Sequence, residues 1–316
     1  MAALGRAAFS QSPRPSSPPR TLSVRVDNDA FDFWQQPYNR PDEEYTSGVR
    51  IALEGGDAPW WSRSIFRNSD ACIARARACR SARLEIGKDI YTPSVSLDDP
   101  HAAANSRPNT GWLFVSQSAR SLRDRRADEL TITVGVTGPA ALGEQMQRFF
   151  HSLAPEFNRP TDWTRQTAFE PGLILRYETR SRLAAVNAGA LGFDLIPRAA
   201  FSIGNITTAA EAGFLARTGV NLRHPWLPAD SPISIELSAG ASGRAVARDL
   251  FLDGNTFTDG PRVKRKPLTG SGEAGIDVRL RWFSAGYRAV SDYRSYEGGP
   301  KWHAWGSLTG AVTFSR

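Results

Sequence analysis

The stretch Ile276-Asp277-Val278-Arg279-Leu280-Arg281-Trp282 puts four large apolar groups on one side of an extended chain and three charges on the other. A soluble sandwich rarely turns three successive charges away from such a face. In a membrane barrel the arrangement is ordinary, because the apolar side meets lipid and the charged side lines a wet lumen. The same period of two recurs along the chain. Leu22, Val24 and Val26 alternate with Ser23 and Arg25, and Val49, Ile51 and Leu53 with Arg50 and Ala52. Leu84 and Ile86 flank Glu85, Leu130 to Val136 alternates with Thr131, Thr133 and Gly135, and Ile233 to Leu237 with Ser234 and Glu236. No run approaches the roughly 18 apolar residues that a transmembrane helix needs. The pattern predicts an all-β fold over residues 21–316, an antiparallel transmembrane β-barrel of about 12 strands. A soluble antiparallel β-protein is the competing reading.

Composition sets further bounds. The chain has 316 residues and a net charge of +7. The basic residues are spread and often alternate with apolar ones. They form no dense stripe with a recognisable motif, so nucleic-acid binding is not expected. Residues 1–20 are rich in Pro and Ser and are expected to be disordered or the remnant of a signal peptide, with Ala7-Ala8-Phe9-Ser10-Gln11 resembling a cleavage region. Cys72 and Cys79 are the two cysteines. A disulfide between them suits an exported protein, and a pair is too sparse for a zinc site. Segments 56–80, 93–110 and 253–270 read as long loops.

One stretch departs from the strand pattern. From Gly138 the chain reads GPAALGEQMQRFFHSLA, with Pro139 where a helix can begin and Leu142, Met146, Phe149 and Phe150 at helical spacing. A short amphipathic helix over 139–153 is predicted at the barrel rim. It carries His151, with Gln147 four residues earlier on the same face as an amide neighbour that would orient a general base. Histidines also occur at 101, 224 and 303. Asp27-Asn28-Asp29 ends the first strand and suits either a turn or a hard cation. Tyr45-Thr46-Ser47-Gly48 opens the second strand with hydroxyls that either satisfy backbone groups or serve chemistry. Arg107, in Ser106-Arg107-Pro108-Asn109-Thr110-Gly111-Trp112, suits a phosphate or an oxyanion, or is simply solvated. No Gly-x-Ser-x-Gly elbow, His-Glu-x-x-His or phosphate loop is present. Water activated by histidine therefore suits the residues better than a serine nucleophile, without excluding the latter.

Taken in order, these segments resemble the lipid A 3′-O-deacylase family of Gram-negative outer membranes. The likeness runs through Asp27-Asn28-Asp29-Ala30-Phe31, Tyr45-Thr46-Ser47-Gly48, Tyr91-Thr92-Pro93, Arg107-Pro108 with Gly111-Trp112, and Gly138-Pro139 with Gly143-Glu144-Gln145, Gln147 and His151. It continues through Gly204-Asn205-Ile206, Glu211-Ala212-Gly213 and Leu252-Asp253-Gly254-Asn255-Thr256. The resemblance implies a barrel of twelve strands in the outer membrane, with an active site inside the barrel near its outer rim. It implies calcium-dependent hydrolysis of the ester holding the 3′ acyloxyacyl group of lipid A. Catalytic roles would fall to His151, Asn28, Asp29, Gln147, Thr46 and Ser47, with Arg107 on the substrate and Asn28 and Asp29 on calcium. The chain departs from the family at Ser106, where a charged residue is usual, and at Asn109-Thr110, where Tyr-Ala is common. Glu156 stands near the place of an acidic residue after the histidine. An outer-membrane phospholipase with the same chemistry and a non-enzymatic lipopolysaccharide-binding or pore-forming barrel are the alternatives. Lipopolysaccharide is the expected partner, and a barrel with no free edge is expected to work as a monomer.

Overall fold

Strands in lipid must pair on both edges, because no water is present to satisfy an open one. The chain meets this demand by closing on itself. The computed structural model describes residues 19–34, 42–66, 72, 78–94, 105–153, 162–227 and 233–314. Residues 1–18, His101 and Glu156 lie outside the described residues. Its strands are β1 (Arg20–Asn28), β2 (Glu44–Gly55), β3 (Ala78–Thr92), β4 (Thr110–Arg123), β5 (Arg126–Thr137), β6 (Pro171–Ser181), β7 (Ala184–Ala188), β8 (Leu191–Gly204), β9 (Thr207–Val220), β10 (Ile233–Asp249), β11 (Leu268–Leu280), β12 (Phe283–Tyr293) and β13 (Trp302–Phe314). Consecutive strands pair antiparallel except β6 with β7, β1 pairs with β13, and β6 pairs with β8 to close the ring. The short β7 also pairs with β8, below β6. β6 and β7 are thus two halves of one long strand interrupted at Arg182 and Leu183, so the 13 strands make a barrel of 12.

The register lines up the lipid face. Val24, Ile51, Ile86, Val115, Val134 and Leu173 lie side by side across β1 to β6, and each is 41–53% exposed. An exposed apolar row of that length would be an aggregation surface in water and is a lipid-facing surface in a bilayer. Trp282, Phe283 and Phe314 are exposed at one end of this belt and Tyr293 and Trp302 at the other.

The lumen face carries the charges, and they are paired. Arg50 lies 2.7 Å from both Asp27 and Asp89. Arg120 pairs with Glu54 and Glu129, and Arg180 with Glu129 and Glu178. Arg217 bridges Asp194 and Glu236, all three buried. Many of the basic residues seen in the composition thus serve ion pairs within the barrel.

The rim bearing the β1–β2, β3–β4, β5–β6, β8–β9, β10–β11 and β12–β13 connections holds the sequence motifs. At the opposite end a Cys72–Cys79 disulfide packs with Leu122, Ile196 and Trp226. There His224 donates from Nε2 to the Asp124 carbonyl at 2.9 Å, a structural role. The predicted long loops hold in part, since β3 already begins at Ala78 and β11 at Leu268.

The rim helix differs from its prediction. Gly138–Ala141 forms a 3-10 turn, Leu142 takes a left-handed φ of 55°, and the α-helix α1 begins only at Gly143, running to Leu153. Left-handed backbone at a non-glycine residue ends one helix and lets the chain restart in a new direction. The Asn205 and Asn255-Thr256 motifs are also structural. Asn205, Asn255 and the Thr256 N–H all donate to the Glu170 carboxylate, at 2.8, 3.2 and 2.7 Å. Three rim connections are tied at that one group. Burial alone would raise the Glu170 carboxyl, but these hydrogen bonds carry it below the usual carboxylate range.

Two outcomes follow. Arg217→Leu strands two buried carboxylates and should cost about 3–5 kcal/mol, read from urea unfolding of the barrel in micelles; an unchanged midpoint would contradict the paired-lumen account. Glu170→Gln should cost about 1–2 kcal/mol at neutral pH. Because the folded value is depressed, that stabilisation is complete above the unfolded value near 4.3 and is lost as pH falls through the folded value. The gap between wild type and variant should therefore close in acid. A gap independent of pH would show that Glu170 acts through shape alone.

Candidate active site

The site is built from one irregularity in a strand. β2 pairs Tyr45 with Tyr91 and Ser47 with Ile90, so Thr46 is the extra residue of a bulge. Below it Gly48 faces the lumen, and a Cβ there would fall on the Tyr45 hydroxyl. The glycine lets that hydroxyl reach Asp27 at 2.8 Å and Asp89 at 3.2 Å. Tyr45 belongs to the lumen network, whereas Thr46 bonds Thr92 hydroxyl to hydroxyl at 2.6 Å. Thr92 in turn donates to the Asp42 carbonyl at 2.6 Å.

Alternation then decides which side of the wall the motifs occupy. Asp27 shares the lumen face with Arg25, so Asn28 falls on the outer face. Asn28, Ser47, Ile90 and Gly111 form one outward row across β1 to β4. Ile90 and Ser47 are nevertheless buried. α1 lies against the outside of the wall beside them, touching β3 and β4. A Cβ on Gly111 would meet Gly143 Cα at 3.2 Å, and the Lys88 ammonium, also on the outer face, caps the Leu142 carbonyl at 2.5 Å. The expectation of a site inside the barrel is thereby corrected: α1 and its histidine lie on the outer face of the rim. Gly143, Gln147 and His151, four residues apart, are its buried stripe, while Gln145, Arg148 and Phe149 are exposed.

His151 Nε2 lies 2.8 Å from an Asp42 carboxylate oxygen. Asp42 and Glu44 both have left-handed φ, 70° and 58°. Such backbone costs energy in residues other than glycine and gathers where geometry is functionally fixed. The carboxylate, not the Gln147 amide, orients the imidazole; Gln147 gives its Oε1 to the Trp163 indole N–H at 2.8 Å. No sequence signal marked Asp42, which is far from His151 in the chain and lies in a loop.

Asp29 is fully buried, and its Oδ2 accepts the Glu43 N–H at 2.9 Å. Burial pushes its carboxyl well above the usual range; the Glu43 N–H opposes this and the negative Asp42 adds to it. Asn28 caps the 3-10 turn Asp29–Phe31, its side-chain oxygen accepting the Ala30 N–H at 2.8 Å. His151, Asp29 and, through Thr92, Thr46 are thus tied to the Asp42–Glu43 segment, with Asn28 and Ser47 beside Asp29 and Thr46 in the chain and Gln147 one helical turn before His151. Among the described residues no three His, Cys, Asp or Glu side chains form a ready metal cage. Desolvated Asp29 beside Asp42 is still an acid-rich oxygen site, and calcium also accepts backbone carbonyls and water. These residues fit a hard cation.

Arg107 is not part of this cluster. It is buried on the lumen side, 4.2 Å over the Tyr91 ring and 3.4 Å from Glu44. Glu44 also accepts from Tyr296 and Ser94 at 2.6 Å each, and Ser106 bonds Tyr296 at 2.9 Å. Burial, then the Glu44 charge, pushes the Tyr296 hydroxyl up to about 12, so it remains a donor at neutral pH. The departure at Ser106 is thus filled by a neutral hydroxyl network. Asn109 has a structural task, pairing with 165–167 and donating to the Asp162 carbonyl at 2.7 Å. His303 donates to the Tyr45 carbonyl.

The model of the family described as outer membrane protein LpxR matches residues 1–314. Among solved structures, LpxR from Salmonella typhimurium is similar with a TM-score of 0.75 at 17% identity, covering 93% of this chain and 100% of that one. The β domain of the Bordetella autotransporter BrkA is similar at a TM-score of 0.46 and 9% identity, covering 95% and 99%. No curated protein sequence matches the chain. The Salmonella likeness shows the fold, and the family match over nearly the whole length makes this chain an outer-membrane β-barrel protein of the LpxR family.

Proposed function

We propose that this protein hydrolyses the ester that attaches the 3′-linked acyloxyacyl chain of lipid A. The observation that carries the reading is the His151–Asp42 pair, held by α1 against the outer face of the wall, where an acyl chain in the outer leaflet can reach it. The sequence resemblance to lipid A deacylases supports the substrate class. Lipopolysaccharide in the outer membrane is the partner, and the closed barrel works as a monomer.

Asp42 accepts a hydrogen bond from the His151 Nε2–H and so leaves Nδ1 as the basic nitrogen. His151 takes a proton from water as the water oxygen bonds to the ester carbonyl carbon. The carbonyl electrons move onto oxygen, giving a tetrahedral oxyanion. When they return, the bond from carbon to the sugar oxygen breaks, and His151 returns its proton to that oxygen. The products are a free carboxylic acid and a sugar hydroxyl. Asp29, with Asn28 and Asp42, would hold calcium through oxygen atoms. Bound there, calcium supplies positive charge that polarises the ester carbonyl. Thr46 and Ser47 line the wall beneath the helix.

Lipid A from cells making the protein should lose the mass of one acyloxyacyl group. His151→Ala should abolish that loss while the barrel still folds, and Asp42→Asn should slow it by about 10²–10⁴-fold. Unchanged lipid A in the presence of folded wild-type protein would refute the reading. Release of fatty acid from phospholipid vesicles alone would reassign the substrate.

Calcium should raise the melting temperature at neutral pH, and Asp29→Asn should remove that rise. Because burial raises the Asp29 carboxyl, the shift should fade as pH drops through that raised value. A shift retained in Asp29→Asn would remove Asp29 from the calcium site.

A further inference from the structure

Gln147 is 2% exposed, and its two amide ends have different fates. An indole N–H only donates, so the end of the amide that faces Trp163 Nε1 must be the oxygen. A flip would set two donors against each other. The NH₂ end is therefore fixed, and Gln147 Nε2 is buried with no hydrogen-bond partner among the described residues. Leaving such a donor unpaired costs about 1–3 kcal/mol, and a native site accepts that cost where a ligand completes the bond. His151 lies one turn further along the same buried face of α1.

Trp163 is itself firmly placed. It is buried, and its ring occupies the space a side chain at Gly143 would need. Its segment is bound to the β3–β4 connection: Asn109 pairs with residues 165–167, its Nδ2 donates to the Asp162 carbonyl, and Arg165 donates to the Ser106 carbonyl at 2.6 Å. The segment where this chain departs from its family's pattern is thus the one that anchors Trp163.

We infer that Trp163 is a positioning residue that fixes Gln147 as the hydrogen-bond donor to the ester carbonyl oxygen and the oxyanion it becomes. This rests on the deacylase reading and adds to it a fixed amide donor that shares the developing charge with the calcium proposed there. A donor locked before the reaction needs no reorganisation as the charge forms.

The test uses the purified full chain in detergent with lipid A and calcium. Trp163→Phe keeps an aromatic side chain but deletes the indole N–H together with part of the bicyclic ring. It should lower kcat about tenfold, roughly one hydrogen bond's worth, with KM within about twofold. Gln147→Glu keeps the acceptor for Trp163 and deletes the donor, and should lower kcat by about 10²-fold or more. The double variant should be no slower than Gln147→Glu alone, because the two act as one unit. In ¹⁵N-tryptophan spectra, the indole signal that Trp163→Phe removes should move downfield in Gln147→Glu, as a carboxylate accepts more strongly. Trp163→Phe with wild-type kcat would overturn the inference, as would a lower melting temperature without a change in kcat or an indole signal indifferent to residue 147. If wild-type protein releases no acyl chain, the deacylase reading fails, and the indole signal alone decides whether Trp163 fixes the amide.

Discussion

Everything in this molecule depends on closure of the sheet. In lipid an open strand edge leaves backbone donors and acceptors without partners, at several kcal/mol each. The β6–β8 pairing removes that edge. Closure then imposes a second condition, because half of every strand's side chains must share a narrow lumen. The charges there are cross-strand partners: Arg50 with Asp27 and Asp89, Arg120 with Glu54 and Glu129, Arg217 with Asp194 and Glu236. A lone charge in that setting would be costly, so these pairs hold the barrel's shape more than they add net stability.

With the lumen committed to ion pairs, the candidate chemistry lies elsewhere. The bulge at Thr46 divides the neighbouring motifs between the two faces of the wall, Tyr45 to the lumen and Thr46 to the outside. The left-handed turn at Leu142 lets the chain fold down, so that α1 lies on the outer face. The helix buries Gln147 and His151 against the wall and leaves Gln145, Arg148 and Phe149 exposed. The proposed chemistry therefore lies between the helix and the wall.

The sequence made the strands legible because a period of two is local, and each lumen charge announced its own face. It made the rim helix legible, though not its start, since nothing in Ala140-Ala141-Leu142 signals left-handed backbone. The face of the site was misread: the resemblance pointed inside the barrel, although Asn28 follows Arg25 and Asp27 in the same alternation and so falls on the outer face. The orientation of His151 was not legible. Helical spacing offered Gln147, whereas the partner is Asp42, which only the tertiary fold brings near. Likewise Arg107 read as a free cation and is a buried one, stacked on Tyr91 and paired with Glu44. Asn205 and Asn255 carried family likeness yet serve Glu170, itself unmarked in sequence.

In the proposed reaction water, not a protein side chain or a second lipid, takes the acyl group at the outer face of the wall. Purified protein acting on lipid A in H₂¹⁸O, with both products analysed by mass spectrometry, tests it directly. Hydrolysis by water should leave one ¹⁸O in the carboxyl group of the released acid and none in the sugar hydroxyl left behind. Label in the sugar hydroxyl, or an acyl group recovered on another lipid with no free acid, would contradict it.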